Sequence, residues 1–227
     1  MGEITKINSV SGYLAKPSGA GPWPAVIVIQ EWWGLDTQTK SIADRIAGIG
    51  YLAFAPDLFH GEAAKLGDNE KAAELATKYG AAGPELLTQV FDALKKDSDC
   101  NGRIGSVGFC FGGRMSLALG INRPVDALCT FYGGGMQQLF DRLDRIKSPV
   151  LGLYGDQDVS IPAGTIEEFD ELLGKYHIPH EVVVYPKSGH AFFRDIDPKS
   201  YRPEAAKDAW KRVTEFFAKN LKQEQPA

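Results

Sequence analysis

The 227-residue sequence predicts an α/β fold built on a mostly parallel sheet with helices on both faces. Three observations carry that expectation. Strand and helix signals alternate along most of the chain. Several strand segments are continuous apolar runs, as in strands buried on both faces. No internal repeat, low-complexity linker or break in composition interrupts the alternation, so residues 1–227 read as a single domain.

In chain order, "ITKINSV" and "SGYLAKP" form two short strands joined by a turn, an antiparallel hairpin suited to a sheet edge. "PAVIVIQ" is a buried strand. "TQTKSIADRIAGIG" follows as a helix with Ile42, Ile46 and Ile49 at helical spacing and Gly50 placed to end it. "YLAFAP" is the second buried strand. The Ala-rich, charged stretch from Gly61 to Gly83 forms one or two small helices, and Pro84 starts another that runs through Lys96. "IGSVGF" is the third buried strand, and "GGRMSLALG" opens a helix. "VDALCTFYG" and "PVLGLYG" are further strands with a polar segment between them. Ile161 to Lys175 is helical, and "HEVVVYP" is the last strand. An amphipathic helix closes the chain, its stripe formed by Ala206, Trp210, Val213 and Phe217, with "QEQPA" frayed beyond it.

Composition removes several function classes. The 25 basic and 29 acidic residues are well mixed and leave a formal charge of −4, so no basic stripe points to nucleic acid or an anionic membrane surface. No apolar run approaches the roughly 20 residues of a transmembrane helix. The start "MGEITKINSV" lacks the build of a secretory signal, and Lys6 stands where a myristoylation signal wants Ser or Thr. Three cysteines without paired spacing argue against a disulfide scaffold and for a reducing, cytoplasmic setting. Four histidines, none spaced for metal ligation, make a zinc site improbable; no metal or cofactor is called for.

In a parallel sheet of this kind, functional side chains collect at the carboxyl ends of the strands. Gly108-Phe109-Cys110-Phe111-Gly112 has the pattern of a nucleophile elbow with sulfur in place of oxygen. A lone cysteine is more often a small buried residue, but here strand, glycines and helix all match the elbow. A thiol so placed sits at a helix N-terminus, which favours a thiolate, and the Phe111 N–H is aimed to hold an oxyanion. Asp158, in "GDQDVSIP" after the next-to-last strand, is the candidate acid, with Asp156 competing and a turn role as the plainer explanation for either. His190, in "YPKSGHAFFR", follows the last strand; His60, His177 and His180 lack such a context. The order nucleophile, acid, histidine is that of the α/β-hydrolase arrangement. It predicts sulfur attack on a carbonyl, with His190 handling protons and Asp158 orienting it, and later hydrolysis of an acyl-thioester. Glu31, directly after the first buried strand and beside two tryptophans, is either a solvated loop residue or a desolvated proton carrier with a raised pKa.

Together, "QEWWGLD", "APDLFHG", "GSVGFCFGG", "LYGDQDVSIP" and "SGHAFFR" resemble the dienelactone hydrolase family, a branch of the α/β-hydrolase fold, over nearly the whole chain. The resemblance implies a triad of Cys110, Asp158 and His190. It implies that Glu31 contacts the resting thiol and helps deprotonate it when substrate binds. The amide of Trp32 would join that of Phe111 in the oxyanion hole, and Arg194, four residues past the histidine, would bind a substrate carboxylate. The expected substrate is a small-molecule ester or lactone, and the expected assembly a monomer or weak homo-oligomer. One feature departs from the family: its second carboxylate-binding arginine, in the helical region before the elbow, has no counterpart between His60 and Pro84, where only Lys65, Lys71 and Lys78 stand. A lysine is a point charge without the arginine fork. "YGGG", Tyr132 to Gly135, either lines the pocket or forms a flexible turn, and Trp32, Trp33, Tyr79, Phe192 and Phe193 are either pocket walls or core. Two other classes compete: a non-catalytic or redox-active thiol protein, with Cys129 as a possible partner in space, and a thioesterase or acyltransferase on the same machinery.

Overall fold

The computed structural model describes residues 1–222; the frayed tail expected at 223–227 lies outside them. Eight strands form one sheet. They are β1 (Glu3–Ile7), β2 (Val10–Ala15), β3 (Trp23–Ile29), β4 (Leu52–Pro56), β5 (Cys100–Phe109), β6 (Ala127–Phe131), β7 (Val150–Gly155) and β8 (His180–Tyr185). Their order is β1-β2-β4-β3-β5-β6-β7-β8. The β1–β2 hairpin packs antiparallel at one edge, β2 pairs antiparallel with β4, and all remaining pairs are parallel. Ala25 through Ile29 are wholly buried, which is why β3 reads as an uninterrupted apolar run rather than an alternating one.

The helices are α1 (Thr37–Gly48), α2 (Asn69–Tyr79), α3 (Gly83–Leu94), α4 (Phe111–Asn122), α5 (Thr165–Lys175) and α6 (Pro203–Leu221). Asp36 caps α1, its Oδ1 accepting from the Thr39 N–H at 2.9 Å. Gly50 ends that helix region with a φ of 94°, a conformation open to glycine. Pro84 stands in the first turn of α3 as expected. The final helix buries Ala206, Val213 and Phe217, with Ala209 and Leu221 completing the stripe. Trp210 is only half-buried, its ring covered by the Arg45 guanidinium at 4.0 Å from the centroid.

Two expectations change. The segment between β6 and β7, read as polar, is a 3-10 helix over Met136–Arg145. Met136, Leu139, Phe140 and Leu143 are buried, so it is amphipathic and packs against α4 and α5. Helix α5 starts at Thr165 rather than Ile161, because Gly164 before it takes a left-handed φ of 80° that no helical residue adopts.

Candidate active site

The parallel strands deliver their carboxyl ends to one edge, and the expected residues meet there. Cys110 follows β5 directly and caps α4 with φ 54° and ψ −114°, a conformation costing a non-glycine residue about 1–3 kcal/mol. The glycines around it answer to close approach. A Cβ on Gly108 would stand 1.9 Å from the Gly112 carbonyl oxygen, and one on Gly112 would stand 2.4 Å from the carbonyl oxygens of both Ile29 and Gln30. The turn is so tight that strand, helix and the neighbouring β3 loop touch through backbone atoms. The Cys110 N–H donates to the Phe131 carbonyl at 3.0 Å, fixing the elbow to β6.

His190 arrives from the loop after β8. Its Nδ1 lies 2.7 Å from Asp158 Oδ2, and Ser160 Oγ is 2.9 Å from the same nitrogen. The other Asp158 oxygen accepts from the Ser160 hydroxyl at 2.6 Å and the Ser160 N–H at 3.0 Å. With Nδ1 occupied, Nε2 is the ring atom left to serve the Cys110 thiol, which lines the same cleft. Burial alone would lower the His190 pKa, but the Asp158 carboxylate and the Cys110 sulfur outweigh it and push the value up to about 10. Burial likewise works to raise Asp158, and the donors from His190 and Ser160 bring it below the usual carboxylate range. Asp156 points elsewhere: it is exposed and accepts from the Ser188 N–H at 3.2 Å, a turn role.

Glu31 is buried, more deeply than two flanking tryptophans suggest. Burial pushes its carboxyl above the usual value, opposed by the charges of Arg194 and His190. Both oxygens are engaged. Tyr132 Oη donates to Oε1 at 3.1 Å, and Arg194 Nη1 donates to Oε2 at 3.0 Å. Arg194 also donates through Nη2 to Asp36 Oδ2. The arginine therefore lines the site edge while both of its Nη groups are bound to carboxylates of the chain itself. The amides of Phe111 and Trp32 donate to no acceptor among the described residues.

An open cleft of about 500 Å³ is lined by Cys110, His190, Glu31 and Arg194, with Trp33 and Leu66 among its walls. Phe192 and Phe193 are core rather than wall, 0% and 2% exposed, because they stack under the site against Phe131 and Phe109. Tyr79 stacks on Phe59 and bonds Glu62. Of the lysines that stand where the family has its second arginine, Lys78 pairs with Glu62 at 2.6 Å and Lys71 with Glu74 at 2.8 Å. Of the "YGGG" alternatives, Tyr132 proves to be a buried partner of Glu31, its ring also edge-on to His190 at 5.0 Å between centroids. Sequence reading did not single out Asp36 or Ser160. Their available signals were an N-cap before an amphipathic helix and a Ser two residues past an Asp in a turn.

The other cysteines stand apart from this edge. Cys129 is fully buried within β6, where burial pushes its thiol well up. Cys100 begins β5 while Cys110 follows its end. At ~3.3 Å per residue, and allowing for the irregularity between Cys100 and Ile104, the strand holds the two about 25 Å apart.

A side chain lifted from a strand-to-helix elbow, served by a histidine and an acid from later strand ends, defines an α/β hydrolase. The Dienelactone hydrolase family model matches residues 10–221, and the chain belongs to that family of lactone and ester hydrolases. It is 32% identical over 237 residues to a Synechocystis protein named "Putative carboxymethylenebutenolidase", covering 94% of this chain and 93% of that one. A Methylorubrum extorquens protein of the same name is 35% identical, over 92% of this chain and 76% of its own. Among solved structures, a "Putative Dienelactone Hydrolase" from Klebsiella pneumoniae superposes with a TM-score of 0.81 at 31% identity, covering 96% of this chain and 98% of that one. Among the described residues no helix is long and apolar enough to cross a membrane.

Proposed function

We propose that this enzyme hydrolyses small carboxylic esters or lactones through Cys110, by way of an acyl-thioester. The observation that carries the reading is the bonded Asp158–His190 pair sharing one cleft with the Cys110 thiol, which stands at the N-terminus of α4. His190 holds the thiol proton, and the sulfur attacks the carbonyl carbon. The carbonyl oxygen becomes an oxyanion between the Phe111 and Trp32 N–H groups, two uncommitted amides at this edge. The C–O bond to the alcohol breaks and the imidazolium returns a proton to that oxygen; in a lactone the alcohol stays tethered to the acyl group. His190 then takes a proton from water, which adds to the thioester carbon. Loss of sulfur releases the acid and restores the thiol.

Asp158 remains ionised throughout and holds His190 in the tautomer that presents Nε2 to sulfur. Glu31 serves as the second proton carrier, reaching the thiol once bound substrate draws it from Tyr132 or Arg194. The two other cysteines lie too deep or too far to resolve an oxidised Cys110, which favours turnover over redox signalling.

The test compares p-nitrophenyl acetate hydrolysis by wild type and Cys110→Ala, with acid-quenched mass spectrometry of both. Loss of about 10³-fold or more in rate, with one acetyl group on wild type and none on the variant, is expected. Turnover by the variant near the wild-type rate would overturn the mechanism.

A further inference from the structure

Resting on that reading, we infer that Ser160 is a positioning residue of the site. Its hydroxyl bonds Asp158 and His190 at once and so aims the imidazole at Cys110.

Three side chains close a ring of contacts. Ser160 Oγ lies 2.6 Å from Asp158 Oδ1 and 2.9 Å from His190 Nδ1, and Nδ1 lies 2.7 Å from Asp158 Oδ2. The hydrogens fit this ring in one way. An ionised Asp158 only accepts, so Nδ1 carries the hydrogen that points to Oδ2. A protonated Nδ1 cannot accept, so the Ser160 hydroxyl donates to Oδ1 instead. A lone pair of Oγ then faces Nδ1–H, and that hydrogen is shared between Oδ2 and Oγ. One acceptor leaves the imidazole free to swing about the bond to it. A second acceptor, from a different residue, holds the ring in one plane.

Ser160 also stands where water would otherwise enter. The Asp158 side chain is wholly buried, whereas Val159 is 99% exposed and Ser160 is exposed. The hydroxyl therefore closes the solvent side of the Asp158–His190 pair, and the Tyr132 ring meets the imidazole edge-on. A water in its place could make the same bonds, but it has no tether and can leave.

The surrounding loops do not depend on that hydroxyl. The Ser160 N–H donates to Asp158 Oδ1 at 3.0 Å and keeps the turn closed. The Gln157 N–H donates to the Ser188 carbonyl at 2.9 Å, and the Asp156 N–H to the Tyr185 carbonyl at 3.0 Å. At Gly155 the two loops touch so closely that a Cβ would stand 2.2 Å from the Ser188 carbonyl oxygen. Removing Oγ thus leaves the loops fastened and takes away one restraint on the ring.

The experiment compares Ser160→Ala and Ser160→Thr with wild type in two measurements. The first is steady-state hydrolysis of p-nitrophenyl acetate. Ser160→Ala is expected to lose about tenfold in kcat with KM within about twofold, since a misaimed group can cost up to about 10²-fold. Ser160→Thr keeps a hydroxyl and should return kcat to within about threefold of wild type. The second is proton NMR of the His190 Nδ1–H, a downfield resonance identified by its loss in His190→Gln. Its exchange with water should be about tenfold faster in Ser160→Ala. His180 is the internal control: its Nδ1 is bonded to the Ile178 carbonyl at 2.6 Å, and its exchange should not change. Wild-type kcat in Ser160→Ala, or unchanged exchange at His190, would overturn the inference and leave the hydrolase reading intact. A folded Ser160→Thr as slow as Ser160→Ala would also overturn it, as would equal acceleration at His180, which marks general loosening. Failure of wild type to hydrolyse the ester would overturn the hydrolase reading. The exchange rates need no substrate and would still decide whether Ser160 holds the ring.

Discussion

Two carboxylates flank Cys110, and they are held in opposite ways. Asp158 sits in a turn that supplies donors from Ser160 and His190, and these keep its pKa low against burial. Glu31 is buried as well, and there burial raises its pKa in spite of Arg194 and Tyr132. Their surroundings therefore drive the two pKa values in opposite directions. Separation of two carboxyl pKa values by their surroundings is how a single site assigns one group to orientation and the other to proton transfer.

The largest effect that tests this contrast is at Asp158. Asp158→Asn should lower kcat by about 10³–10⁴-fold, because an amide can donate to Nδ1 and turn the imidazole to the wrong tautomer. Loss under tenfold, in a steady-state assay with the fold verified by circular dichroism, would make Asp158 a turn residue after all. Glu31→Gln should cost less, about 10–10²-fold in kcat, since His190 still serves the thiol. A Glu31→Gln variant with wild-type kcat across pH would leave Glu31 as an ion-pair partner of Arg194 and dissolve the contrast.

The smallest effect concerns stability. The His190 pKa is raised to about 10, so its contribution to folding is complete below about pH 6.5 and is lost as pH rises toward 10. The melting temperature of wild type should fall by a few degrees across that window. Cys110→Ala removes one of the contacts that raise the value, so the fall should end at lower pH. Coincident melting curves for the two proteins through pH 10 would show that the thiol does not support the imidazolium.

The order of strands and helices was legible because buried strands and amphipathic helices carry different apolar periods. The positions of Cys110, Asp158, His190 and Glu31 were legible for a related reason: each follows a strand, and parallel strands end at one edge. Their bonds were not. Tyr132 meets Glu31 across 101 residues of sequence, and Arg194 meets Glu31 across 163. No local pattern encodes such a pairing. The resemblance placed Arg194 at the right edge, but only the fold shows that Asp36 and Glu31 already take up its donors. The 3-10 helix at Met136–Arg145 was missed because its polar residues outweigh a buried stripe of four.

The contacts at the elbow separate what this family of sites can vary from what it must keep. Position 110 holds its backbone by a bond from N–H to Phe131, which any residue but proline can make. Sulfur, oxygen or a methyl can be mounted there without moving the main chain. At 108 and 112 a single added carbon would drive three segments apart. The reactive atom is thus the replaceable part, and the hydrogens beside it are the permanent fixture.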